Sequence, residues 1–158
     1  MLRQVWEVHN SVLKMICPLL LLAGCAVPPL DTPSGQPEIV LESVDRDCVK
    51  STLVGLMLNQ GFAMRSEGPS MIVGGRRSKS STLNLLLSTP LSGSPEERLS
   101  FTFVSQGRAL RVVASAQIVG NPGTAYEHII VVSPDRAAQD NLVYGGELLQ
   151  RECGNAAP

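Results

Sequence analysis

Leu99-Ser100-Phe101-Thr102-Phe103-Val104-Ser105-Gln106-Gly107-Arg108-Ala109-Leu110-Arg111-Val112-Val113-Ala114-Ser115-Ala116-Gln117-Ile118 decides the fold. Leu99, Phe101 and Phe103 recur at every second position with Ser100 and Thr102 between them, the period of a strand that buries one face. Gln106-Gly107 supplies a turn, and Leu110, Val112, Ala114, Ala116 and Ile118 resume the alternation. The pattern predicts an antiparallel hairpin with one apolar face.

Working outward, Phe62-Ala63-Met64-Arg65 and Ser70-Met71-Ile72-Val73 read as two short strands around Glu67-Gly68-Pro69. Downstream, Asn121-Pro122-Gly123 marks a turn, and Tyr126 to Val132 supplies a further strand through its β-branched residues. Helical spacing appears on both flanks. Ser43 is a candidate N-cap with Asp45 and Asp47 in the first turn, where the helix dipole favours negative charge. Val49, Leu53, Leu56 and Gln60 then recur at helical intervals beside Thr52 and Met57, and Gly61 is placed to close the helix. Ser133-Pro134-Asp135 reads as a second helix start with proline at the first helical position, running to about Cys153. Leu142, Val143, Leu148 and Leu149 are its core candidates, and Gly145-Gly146 weakens it by up to about 1 kcal/mol per glycine.

The order predicts an α+β fold: an antiparallel β meander of about four to six strands with an N-terminal and a C-terminal helix packed on one face. This architecture resembles the helix-grip and related folds of small envelope lipoproteins, a likeness of layers that does not fix function.

Arg76 to Glu97 interrupts the meander with a serine-rich stretch. Arg76, Arg77 and Lys79 at its head read as a solvated strand end or as a phosphate-binding group. Thr82-Leu83-Asn84-Leu85-Leu86-Leu87 reads as one more strand with Leu83, Leu85 and Leu87 inward, or as a loop presenting an apolar edge to a partner.

The N-terminus is organised differently: Arg3 and Lys14 precede the apolar run Met15 to Leu22, which ends in Ala23-Gly24-Cys25. The run is shorter than the ~20 apolar residues a bilayer span needs. Leu22-Ala23-Gly24-Cys25 closely resembles the lipobox of bacterial lipoprotein precursors. The resemblance implies removal of residues 1–24 as a signal peptide and lipidation of Cys25 with diacylglycerol and an N-linked acyl chain such as palmitate. Ala26, rather than aspartate, at the following position implies sorting to the outer membrane, facing the periplasm. Residues 25–37, rich in proline, then form a tether. Residues 38–153 form a single domain, and 154–158 a flexible tail.

Residues 25–158 carry 11 basic and 13 acidic side chains, a balance that favours neither nucleic acid nor an anionic surface. They contain no tryptophan and one histidine, His128. A multi-histidine metal site cannot be built from that, no cofactor motif is present, and adjacent Glu127 and His128 in a strand would face opposite sides. Ser92-Gly93-Ser94 lacks the pattern of a nucleophile elbow, and Val73-Gly74-Gly75-Arg76 lacks the rest of a phosphate loop. The leading expectation is a non-enzymatic adaptor or assembly factor for another envelope protein, acting through a sheet edge or the 76–97 region. In general look it is similar to secretion-system pilotins and to barrel- or lipopolysaccharide-assembly lipoproteins. The alternative is a periplasmic ligand-binding or enzymatic lipoprotein with a pocket between helices and sheet.

With Cys17 removed and Cys25 lipidated, Cys48 and Cys153 are the two thiols left for an oxidising compartment. They are expected to form a disulfide joining the start of the first helix to the end of the last.

Overall fold

The structure, a computed structural model, describes residues 29–80, 83, 87 and 94–154. In chain order its elements are β1 (Glu38–Glu42), α1 (Arg46–Asn59), β2 (Ala63–Glu67), β3 (Met71–Arg77), β4 (Glu96–Gln106), β5 (Ala109–Gly120), β6 (His128–Val131) and α2 (Arg136–Cys153). The residues 99–118 form the β4–β5 hairpin, turned by Gly107 at φ 63°. Leu99 stands opposite Ala116, Phe101 opposite Ala114 and Phe103 opposite Val112, so both alternations share one face. The antiparallel sheet has the order β1-β5-β4-β3-β2, with β6 also on β5. β1 and β6 share the far edge of β5, pairing with residues 109–113 and 117–120 respectively.

Both helices cover this face, giving the α+β layering read from the sequence. Val49, Leu53 and Met57 of α1 and Leu149 and Cys153 of α2 pack with Ile39, Leu41, Ile72, Phe101, Phe103, Leu110 and Val112. Val49, Ile72 and Val112 are wholly buried, each worth about 1.5–3 kcal/mol of transfer free energy. The first turn of α1 joins the end of α2 through a disulfide between Cys48 and Cys153, whose Cα atoms lie 5.7 Å apart. The Asp45 N–H donates to the Cys153 carbonyl beside it at 3.0 Å.

Several local readings are corrected. β1 is a strand the sequence pattern does not predict, and its Ile39 and Leu41 face the core. The N-cap of α1 is Asp45, which accepts from the Cys48 N–H at 2.6 Å, whereas Ser43 has φ 52° and its N–H is held by the Arg108 carbonyl at 2.9 Å. A carboxylate adds charge to the capping hydrogen bond, which favours Asp45 for this position. Leu56 is 47% exposed because the buried stripe steps by four, through 49, 53 and 57. Val143 and Leu148 likewise face outward, while Gly146, Leu149 and Cys153 form the buried side of α2. Leu142 is half-buried. Pro134 precedes the helix, and Asp135 caps it by accepting from the Ala138 N–H at 2.7 Å. Leu83 and Leu87 are helical and half-buried, not in a strand. Leu85, Cys25, residues 1–24 and 155–158 lie outside the described residues.

Candidate functional sites

The two sides of the sheet offer different chemistry. On the helix side the core is not closed: an apolar cleft of about 500 Å³ opens between α1, α2 and the sheet. Leu53, Leu56 and Met57 form one wall, Leu142, Gly145 and Leu149 the other, and Leu99, Phe101, Ala114 and Ala116 the floor. A cleft this size persists in a close-packed interior because small side chains stand where large ones would meet. Ala114, Ala116 and Ala138 line it, and a Cβ added at Gly145 would touch nothing within 4 Å. Its one ionisable lining residue among the described residues, Asp135, is the helix cap already described.

The opposite face carries ion pairs. Glu96, 4% exposed, is held between Arg65 and Arg98, and Arg98 reaches on to Glu127 at 3.0 Å. Burial would raise the Glu96 carboxyl, but hydrogen bonds from Arg98 and Arg65 and their charges outweigh it and hold the group below the usual glutamate range. Glu127 is lowered by the Gly123 N–H first and by Arg98 second. The Glu96 hydrogen bond, aided by Glu127, raises Arg98 in turn. Glu38, on β1, follows the same logic: burial works against its charge, while Arg111 and Ser34 overcome it. A polar pocket of about 370 Å³ lies among Arg65, Arg77, Glu96, Arg98 and Glu127. Such interlocked, saturated charges stabilise a face better than they serve as an acid–base pair.

The basic residues singled out at the end of β3 are not brought together. Arg76 lies on the helix side, 4.5 Å over the Phe62 ring, with Nε donating to Glu97 at 2.8 Å. Arg77 lines the polar pocket on the other face, and Lys79 is exposed in the loop. His128 lies over Gly120, where an added Cβ would come 2.1 Å from its ring, while Glu127 turns to Arg98. Among the described residues no group of three histidines, cysteines or acids could hold a metal. Nor is any described helix long and apolar enough to cross a membrane.

The third surface is the edge shared by β1 and β6, which sequence reasoning missed in its detail. Gln139 and Gln150 of α2 act on β1 as a neighbouring strand would. Gln139 accepts from the Glu38 N–H and donates to its carbonyl, both at 2.8 Å, and Gln150 repeats this with Glu42 at 3.0 and 2.8 Å. β6 has no such cover among the described residues. The Val132 N–H donates to the Ala116 carbonyl at 3.0 Å. Antiparallel alternation therefore turns the backbone groups of Ile129 and Val131 away from β5. Ile129, Ile130, Val131 and Val132 are 52%, 45%, 57% and 40% exposed, and Tyr126 is 82% exposed.

Comparison of the chain with protein-family models, with curated proteins and with solved structures finds no match.

Proposed function

We propose that the chain is an envelope lipoprotein, anchored through lipid on Cys25 in the outer membrane and facing the periplasm, that holds another envelope protein as a non-enzymatic adaptor or assembly factor. The β6 edge carries this reading. Exposed, unpaired, apolar edge strands template pairing with other chains, and proteins usually blunt them with charge, proline or cover. Here half of the edge is covered by two glutamines, and over the other half the described residues leave four consecutive β-branched residues exposed. Strand addition by a partner would satisfy the outward groups of Ile129 and Val131, with side-chain contacts setting specificity.

Val131→Pro tests it, because proline at an outward-facing edge position leaves the β5 ladder intact. A photocrosslinking residue at Ile129 should trap one defined envelope protein in intact cells, and the same residue at Thr102 should not. Val131→Pro should remove that product while the Cys48–Cys153 disulfide still forms. No product at Ile129, or one indifferent to Val131→Pro, would refute strand addition.

The cleft favours a second reading, the binding of an uncharged ligand between helices and sheet.

A further inference from the structure

We propose that the cleft between α1, α2 and the sheet is an acyl-chain site, and that its occupant is one of the chains carried on Cys25 of the same molecule. The proposal rests on the lipid anchor proposed above and not on the β6 edge. Its first support is chemical. Among the described residues no cation lines the cleft, and the carboxylate of Asp135 is engaged by the Ala138 N–H. A charged ligand would lose hydration there without finding a counter-ion, whereas hydrocarbon finds Leu53, Leu56, Leu99, Phe101 and Leu142.

Size agrees with this. A methylene fills about the 30 Å³ that a water occupies in the liquid, so a cleft of about 500 Å³ matches the volume of a chain of about sixteen carbons. The space is also built into the chain, since Ala116, Ala138 and Gly145 would close it if they were leucines.

The position of the tether selects the occupant. Gln36 and Pro37, the residues that lead into β1, form part of the cleft rim. Cys25 precedes Gln36 by 11 residues, which reach at most about 40 Å when extended. Any chain on Cys25 is thus tied within that distance of the cleft mouth, which raises its effective concentration there. Cleft and bilayer both offer hydrocarbon, so the same acyl group can be sheltered while the protein is away from a membrane and released when it anchors.

The experiment uses the full chain made in cells fed palmitate that carries a terminal diazirine, extracted from the membrane fraction, freed of detergent and irradiated. Monomeric protein is digested, and intact and peptide masses are read. The expected result is the Cys25 peptide joined to peptides of residues 46–60 or 136–149. Gly145→Leu and Ala138→Leu, which fill the cleft and favour helix, should cut that product at least ten-fold with the disulfide still formed. Phospholipid mass on the cleft peptides without the Cys25 peptide would assign the cleft to a membrane lipid and overturn the proposal. Cys25 chains joined only to phospholipid would overturn it as well. A Cys25 peptide without acyl mass would remove the lipid anchor itself, a failure distinct from the other two and from the β6 test.

Discussion

Glu96 and Glu38 are the side chains most constrained by their neighbours. Each is less than 10% exposed yet stays charged because arginine pairs with it. Glu96→Gln keeps the shape and removes the charge, taking its carboxylate from Arg65 and leaving Arg98 to Glu127 alone. We expect a loss of about 2 kcal/mol at pH 7, measured by urea unfolding. The pH dependence has a definite sign. A carboxyl whose folded value lies below its unfolded value of ~4.3 contributes stability above that value and loses it as pH falls further. The natural chain should therefore weaken steadily below about pH 4, and Glu96→Gln should flatten part of that slope. An unchanged slope would show that Glu96 is not held ionised by its arginines. Gly75 belongs to the same unit, because a Cβ there would lie 2.3 Å from Glu96 Oε1. Gly75→Ala should cost a comparable amount, and the double variant with Glu96→Gln should cost clearly less than the two together. None of this coupling was legible from the sequence, in which Gly75 and Glu96 are separated by the serine-rich stretch.

At the scale of elements, the long strands were readable because a sheet buried on one side alternates strictly, as Leu99 to Ile118 does. The register of the short ones was not. β1 also alternates, with Ile39 and Leu41 inward, but five residues beside a proline-rich tether gave the pattern too little length to stand out. Gln139 and Gln150 carry a signal that was overlooked. Eleven residues is close to three helical turns, so both amides fall on one side of α2, above the two ends of β1. In α2 the paired glycines have opposite uses. A Cβ at Gly146 would come 2.8 Å from Ile39 Cδ1, so this glycine lets the helix approach β1. A Cβ at Gly145 meets nothing, so this glycine leaves the cleft open and lowers helix propensity. Gly145→Ala should raise stability by up to about 1 kcal/mol, whereas Gly146→Ala should gain less because Ile39 must move. Thermal unfolding of the two single variants decides the matter, and equal gains would mean that Gly146 is no contact point.

At the scale of the whole molecule, the Cys48–Cys153 disulfide joins the two helices at one end, and the cleft opens along their other parts, lined by Leu53 to Gln60 and Ala138 to Leu149. The pairing was legible through the lipobox resemblance, which implies that Cys17 is removed and Cys25 lipidated and so points to Cys48 and Cys153. The cleft was not, because spacing alone does not say whether Ala114, Ala116 and Ala138 face a filling side chain or empty space. A core with such an opening buries less apolar surface than a closed one, so the covalent link takes a larger share in holding α1 and α2 over the sheet. The sequence separation is 105 residues, and closing a loop of that length removes unfolded-state entropy worth about 4.7 kcal/mol in the chain-entropy model. Against the 5–15 kcal/mol typical of a domain, this is a large fraction. We therefore expect the Cys48→Ala, Cys153→Ala double variant to lose about 4 kcal/mol, seen as a lower urea midpoint. The slope of that transition should steepen, because an unlinked unfolded chain exposes more surface. Reduction of the natural protein should reproduce both changes. A double variant as stable as the natural chain would show that packing of Val49, Leu53 and Leu149 suffices to hold the helices, and that the disulfide only records their proximity.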